Sequence, residues 1–379
     1  MIDSKLPNVG TTIFTLMSQL AAKHSAINLS QGFPDFDGPA FLKERVSHYI
    51  NQGLNQYAPM TGLPALREQI ANKTFSCYQR RLDAESEVTI TSGATEALFA
   101  AIHAVVKRDD EVIIFDPAYD SYAPAIELAG GHPIHLALDD EFSIDFEQLD
   151  KAINNKTSLV IINSPHNPTG AILDKQTMEA LEKRIIGNGL FLISDEVYEH
   201  IVFDDQQHWS VNCFSALAER SFVVSSFGKT FHTTGWKVGY CVAPKTLSVE
   251  FRKVHQYLTF CTVTPIQAAL ADMLEQHPEH WQELSAFYQT KRDHLRNELA
   301  KTRFKLMPCQ GTYFQLVDYS NISDKSDTDF ANWLTTEVGV ASVPISVFYK
   351  SKKDQHLIRL CVAKNEETLS AAAEKLAKL

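Results

Sequence analysis

The residues best equipped for chemistry stand together in Ser225-Ser226-Phe227-Gly228-Lys229, directly after the apolar run Phe222-Val223-Val224 and ahead of Thr234-Gly235-Trp236-Lys237-Val238-Gly239-Tyr240. A lysine at the end of a buried strand, with small residues before it and a second lysine at 237, is poorly placed for a solvated charge. A desolvated lysine amine is a nucleophile that condenses with an aldehyde cofactor to an imine, and small neighbours let a cofactor phosphate approach the backbone. The same pentad also suits a lysine that snorkels from a strand end into water, so the rest of the chain has to decide.

Further polar groups recur at the ends of apolar runs. After the strand-like run 87–91, Ser92-Gly93-Ala94-Thr95-Glu96-Ala97 opens a helix expected to reach about Val106. Small residues at a helix start offer unpaired N–H groups and a positive dipole end to a phosphate, though Ser or Thr with Glu shortly after is also a common cap. Tyr119 follows the run 111–115, Asn167 follows 158–162, and Asp195 and Tyr198 follow 189–194. Singly they read as turn, cap or packing residues. In open α/β sheets, however, ligands gather beyond the carboxyl ends of the strands. Thr95, Tyr119, Asn167, Asp195, Tyr198 and Lys229 all fall there.

The elements that must position them alternate in type. Nearly continuous apolar strands bounded by helical stretches are the pattern of a parallel sheet covered on both faces, so the fold class is α/β. Ahead of them lie a helix over 13–22, a short strand over 26–29, the loop Ser30-Gln31-Gly32-Phe33-Pro34-Asp35-Phe36, and helices over 39–51 and 64–78, the last with Pro64 in its first turn. Gly32 serves a turn or offers a bare backbone N–H to an anion. A long helical region from 265 to 301, broken near Pro278, leads to strands over 313–317, 340–343 and 357–363, a helix over 328–337 and a final helix from Glu366. This mixed set reads as a second, smaller α+β domain. Arg359 is the one arginine in its strand, and is either an edge charge facing water or a bidentate clamp for a carboxylate.

Composition narrows the classes. The chain has 379 residues, 44% hydrophobic and 21% charged, which is ordinary for a folded protein of about two domains. Its net charge of −11 argues against nucleic acid and anionic membrane surfaces as partners. The six cysteines form no CxxC pair, the start of the chain lacks a basic-then-apolar leader, and no run reaches the length of a membrane span. A reduced, cytoplasmic setting is expected. Two HxxH spacings, His132 with His135 and His277 with His280, lack a third ligand in view, and no metal is expected.

These motifs together resemble one family. SQGFPDF, NQYAPMTG, SGATEAL, FDPAYDSY, NSPHNPTG, SDEVYE, SSFGKTFHTTGWKVGY and IRLCVAKNEETL stand in the order of the class I, fold-type I aminotransferases that use pyridoxal 5'-phosphate. The likeness runs from about Gly10 to the end and is nearest the kynurenine aminotransferase and glutamine transaminase K branch, with the bacterial methionine enzymes closest. It implies a large domain over 39–275, whose mixed, mostly parallel seven-stranded sheet is sandwiched by helices. A small domain over 276–379 and an N-terminal arm over 1–38, partly in the small domain, complete the arrangement.

The resemblance also implies roles. Lys229 carries the cofactor and shuttles the substrate α-proton, Asp195 pairs with the pyridine nitrogen, and Tyr198 and Asn167 bond the phenolic oxygen. Tyr119 stacks on the ring. The phosphate sits on Gly93, Ala94 and Thr95, with Ser226 and Lys237 beside it and Tyr57 reaching it from the second subunit of a homodimer. Arg359 takes the substrate carboxylate, helped by Gly32 and Asn167. Dicarboxylate-specific relatives carry a further arginine near the subunit boundary. Here Phe260-Cys261-Thr262-Val263 is uncharged, with Cys261 where kynurenine-type relatives often have histidine. A pocket of Phe14, Tyr57, Tyr119 and Phe260 favours a thioether, aromatic or amide side chain, and separates these by only about 1–3 kcal/mol.

The expected activity is ping-pong transamination of methionine, and of aromatic amino acids or glutamine, with a 2-oxo acid through pyridoxamine phosphate. Alternatives are a kynurenine- or glutamine-preferring aminotransferase and a cysteine-conjugate β-lyase on the same site. A cofactor-sensing regulator would bring a basic DNA-binding extension. A nicotinamide dehydrogenase would need GxGxxG after a strand, which is absent.

Overall fold

The computed structural model describes residues 3–379. Its strands, in chain order, are β1 (Ile27–Asn28), β2 (Val88–Thr91), β3 (Glu111–Asp116), β4 (His132–Ala137), β5 (Thr157–Asn163), β6 (Phe191–Asp195), β7 (Ser221–Ser226) and β8 (Gly239–Val242). The C-terminal part adds β9 (Lys305–Leu306), β10 (Phe314–Asp318), β11 (Val340–Ala341), β12 (Val343–Pro344) and β13 (Leu357–Cys361).

The large sheet has the order β2-β8-β7-β6-β5-β3-β4. Pairs from β7 through β4 are parallel, while β8 runs antiparallel to both β7 and β2. Two antiparallel steps leave β2 pointing the same way as β7. The helix that follows β2 therefore starts at the edge of the sheet where β5, β6 and β7 end.

Strand burial explains the continuous apolar runs. Val112 and Ile114 of β3 enter a core with Ala97, Ala101 and Ile102 of the helix Gly93–Val105 and Phe251 of the helix Lys245–Leu258. Ile113 and Phe115 enter another, shared with Ile70 of Pro64–Tyr78 and Met178, Leu181 and Ile185 of Lys175–Gly187. Alternate side chains thus feed opposite cores, and a strand buried on both faces reads as a nearly continuous apolar run. β4 and β8 are additions to the sequence reading. Pro133 and two histidines disguise β4, of whose residues only Leu136 is buried at the sheet margin, and β8 is only four residues long.

The C-terminal part has its own core between the helices Leu284–Leu299 and Glu366–Leu376 and the antiparallel sheet β12-β13-β10-β9. Met17 and Leu29 pack into it, and β1 pairs with β11, which ties the N-terminal segment to this body. The strand expected over 340–343 divides: Val340–Ala341 pairs with β1 and Val343–Pro344 with β13, so one short stretch serves two sheets. Arg359 lies on β13, between β10 and β12, and is 1% exposed. It is not an edge charge.

Candidate active site

A cavity of about 420 Å³ opens where β5, β6 and β7 end, and the helix Gly93–Val105 and the strand β13 close its sides. Lys229, Asp195, Tyr198, Asn167, Tyr119, Gly93, Ala94, Thr95, Ser226, Lys237, Gly32, Phe14 and Arg359 all line it. Tyr57 and Phe260 do not. They meet edge-to-face with ring centres 5.3 Å apart, and Tyr57 is 83% exposed.

Lys229 does not sit at the strand end as the sequence suggests. β7 stops at Ser226, and a single helical turn, Phe227–Thr230, carries the lysine past it. A side chain at Gly228 would meet the backbone of Thr234 at 3.0 Å, so glycine lets the turn fold tightly against the next segment. The Lys229 amine donates to the Tyr313 hydroxyl at 2.8 Å and to the Gly32 carbonyl at 3.2 Å. Burial pulls its pKa down to about 8, with Lys237 and Arg359 adding to the fall and Cys361 and Asp195 opposing it. A substantial neutral fraction at physiological pH follows, as a nucleophilic amine requires.

Asp195 closes β6. One carboxylate oxygen accepts from the Tyr122 hydroxyl at 2.7 Å and the other from the Val197 N–H at 3.4 Å. Burial raises its pKa to about 6, against the pull of those donors and of Lys229. An anion held there attracts a cationic ring nitrogen. Behind it, the Asn163 amide donates to the Asp195 carbonyl at 2.8 Å and accepts from the Asn167 N–H at 2.8 Å, locking the ends of β5 and β6 together.

The helix start is built for an anion. Gly93 has φ +78, a conformation that favours glycine, and the Lys237 ammonium lies 3.4 Å from where a Cβ would stand. A Cβ on Gly239 would meet the Ser225 carbonyl at 2.6 Å and the Ala94 nitrogen at 2.9 Å, so only glycine lets β8 begin between β7 and this helix. The N–H end of the helix, Lys237 and Ser226 thus converge on one corner of the cavity. Tyr119 stands beside them. Burial lifts its pKa to about 12, with Asp120 and Asp195 adding to the rise and a Thr95 hydrogen bond opposing it.

Arg359 faces the opposite corner. Its guanidinium donates to the Asn167 side-chain carbonyl at 2.6 Å and to the Ser30 carbonyl at 2.9 Å, and lies 3.8 Å above the Phe314 ring. Its Nε is buried and has no partner among the described residues. Both acceptors are neutral, so the cation retains an unmet demand for a carboxylate.

Several contributors escape sequence reasoning. Tyr122, Asn163 and Tyr313 support Asp195 and Lys229, and Gln31, Phe33, Val197 and Phe314 also line the cavity. Tyr122 and Asn163 lie inside or beside motifs already singled out, which is the only local signal they carry. Tyr313 comes from a segment distant in the chain, directly before β10. Of the HxxH residues, His135 bonds Asp116, and no group able to hold a metal ion occurs among the described residues.

A half-buried lysine amine near a buried carboxylate, with a helix N-terminus on one side and an arginine on the other, is an arrangement suited to amino-group transfer on an α/β scaffold. The chain belongs to the aminotransferase class I and II family, whose model matches residues 24–376. Its fold is that of fold-type I enzymes, and its cofactor is pyridoxal 5'-phosphate. It is 57% identical over 378 residues to methionine aminotransferase of Escherichia coli, covering 100% of this chain and 98% of the relative. A solved structure from Escherichia coli, described as identifying a methionine aminotransferase function, superposes with a TM-score of 0.98 at 56% identity over the whole of both chains. A kynurenine–oxoglutarate transaminase of Dictyostelium discoideum is 35% identical, over 98% of this chain and 94% of its own length.

Proposed function

We propose that this enzyme moves the amino group of L-methionine, and less selectively of aromatic amino acids or glutamine, to a 2-oxo acid by a ping-pong sequence. The observation that carries the reading is the shared cavity of Lys229, Asp195 and Arg359, with the start of the helix Gly93–Val105 at its wall. Methionine as first donor is supported by the 57% identical Escherichia coli relative and by the uncharged Phe260–Val263 segment. The kynurenine-preferring alternative is favoured by the Dictyostelium relative.

Pyridoxal 5'-phosphate supplies an aldehyde that takes up the amino group and a ring that withdraws charge from the substrate α-carbon. Gly93, Ala94 and Thr95 would hold its phosphate, with Lys237 and Ser226. Asp195, kept anionic by Tyr122 and the Val197 N–H, would hold the ring nitrogen; Tyr198 and Asn167 would bond the phenolic oxygen, and Tyr119 would hold the ring. Arg359 binds the α-carboxylate through the donor capacity its neutral partners leave unused, and Gly32 and Asn167 help to orient it. The neutral Lys229 amine would hold and move the substrate α-proton, its Nζ kept in place by the Tyr313 hydroxyl and the Gly32 carbonyl. Phe14 and Phe314 limit water around the substrate.

The working unit is a homodimer in which Tyr57 and Phe260 serve the partner's site, and it acts in the cytoplasm. The exposed Tyr57, together with the exposed Tyr257, Leu258 and Val263 that flank its contact Phe260 in the chain, supports this, and the six free cysteines suit a reducing compartment. The domains divide as 1–38, 39–275 and 276–379, with the arm joined to the last.

The test is a half-reaction. Purified enzyme loaded with cofactor and given L-methionine without acceptor releases one equivalent of the oxo acid, then turns over when a 2-oxo acid is added. No oxo acid in the first step overturns the reading. Pyruvate and ammonia from cysteine conjugates without acceptor would establish the β-lyase instead.

A further inference from the structure

The turn that carries Asp195 and Tyr198 toward the cavity sends Glu196 and Glu199 to the other side. Glu199 is buried, yet its carboxylate takes four donors. Oε1 accepts from Lys73 at 2.7 Å, Ser225 at 2.5 Å and Tyr240 at 2.8 Å, and Oε2 accepts from Tyr78 at 2.6 Å. Lys73 also donates to His200 Nε2 at 3.0 Å. Burial opposes the Glu199 anion, but Lys73 overrides it and holds the carboxyl well below its ordinary range. His200 is neutral, its pKa pushed to about 3 by burial and then by Lys73.

These donors come from separate elements. Ser225 directly precedes Ser226 on β7, ahead of the turn that bears Lys229, and Tyr240 follows Gly239, which lies against the Ala94 nitrogen. Lys73 and Tyr78 belong to the helix Pro64–Tyr78. The Glu199 N–H donates to the Glu196 carbonyl at 2.9 Å, closing the turn after β6. One carboxylate thus ties the segment bearing Asp195 and Tyr198 to the end of β7 and the start of β8. None of its partners lines the cavity.

We propose that Glu199 is a positioning residue for the cofactor site: by joining these three strand ends it sets the distance between Asp195 and Lys229. This rests on the functional reading above. A charged hub suits the task because charge-assisted bonds are short and directional, and because a buried network met at every member has one arrangement.

The test compares holoenzyme variants by melting temperature, cofactor loss on dialysis, and kcat against KM for methionine. Glu199→Gln leaves the Lys73 ammonium buried and unpaired, so its melting temperature falls and cofactor loss accelerates. The double variant Lys73→Met with Glu199→Gln removes both charges and recovers the melting temperature. It nonetheless loses cofactor faster and turns over more slowly, each by on the order of tenfold, while KM stays within about twofold because Arg359 lies outside the cluster. Full recovery of retention and kcat in the double variant would mean that Glu199 acts on stability alone. Ser225→Ala, which strands no charge, gives about a threefold faster cofactor loss at the wild-type melting temperature, and unchanged retention there also overturns the inference. Wild-type protein that fails to bind pyridoxal 5'-phosphate overturns the functional reading and this inference together. Wild-type binding with unaltered variants overturns the inference alone.

Discussion

The two sides of the turn from Asp195 to Glu199 hold similar side chains in opposite states. On the cavity side, Arg359 meets only neutral oxygens and keeps an unpartnered Nε, Lys229 rests against a hydroxyl and a carbonyl, and Asp195 has one side-chain donor. On the far side, Glu199 meets four donors, and Glu196 meets Ser194, His208 and the Val211 N–H. Burial costs both sets. The Glu199 cluster offsets that cost internally and is closed, and beside it only His208 Nδ1 goes without a partner among the described residues, whereas the cavity side leaves bonding capacity for a ligand. A binding site is thus recognised less by its residue types than by what its residues lack.

Removing the cavity groups should cost function without costing the fold, the reverse of the far side. The largest effect is expected for Lys229→Ala, which lowers transamination by on the order of 10⁴-fold while the melting temperature holds or rises, because a buried cation is lost. A melting temperature that drops steeply would place Lys229 among the structural groups. Asp195→Asn comes next, with kcat down by about 10³-fold and weaker cofactor retention on dialysis, since the ring nitrogen loses its anion. Arg359→Lys keeps the charge but loses the planar fork. Steady-state kinetics should give a KM for methionine raised by about 10²-fold with a smaller change in kcat.

Tyr122→Phe tests a supporting bond. Its loss lowers kcat by about threefold, and because the hydroxyl stabilises the Asp195 anion, the acid limb of the rate profile moves to higher pH. A limb that stays in place would show that Asp195 does not depend on Tyr122. The mildest test needs no mutation. Capture of pyridoxal 5'-phosphate by the apoenzyme should quicken as pH rises toward about 8 and then level, because the Lys229 ammonium, lowered by burial, must first lose its proton. A rise that continues to the ordinary lysine range would mean the amine is solvated.

Much of the architecture is legible in the sequence because it is local. The strands β3, β5 and β6 are nearly continuous apolar runs and β7 centres on Phe222-Val223-Val224, and Pro64 marks a helix start that the structure places at the same residue. β4 and β8 are not legible. β4 lies at the sheet margin, where side chains lack the two-sided burial that makes a strand apolar, whereas β8 is buried throughout but is only four residues long and opens on a glycine. The turn at Lys229 is misread for a related reason: Phe227-Gly228-Lys229-Thr230 is too short to show helical periodicity, and only its packing on Thr234 turns it.

The chain by itself determined which groups are available for chemistry and at which end of the sheet they lie, since strand direction and the turn after each strand follow from neighbours in sequence. Only the tertiary structure decided which groups are answered and which are left waiting. Tyr122 to Asp195, Tyr313 to Lys229, Ser30 to Arg359 and Lys73 to Glu199 are contacts between elements far apart in the chain. A tyrosine or lysine looks the same in sequence whether its polar end meets water, a structural partner or a site. The difference arises only when packing removes the water and fixes what remains within reach.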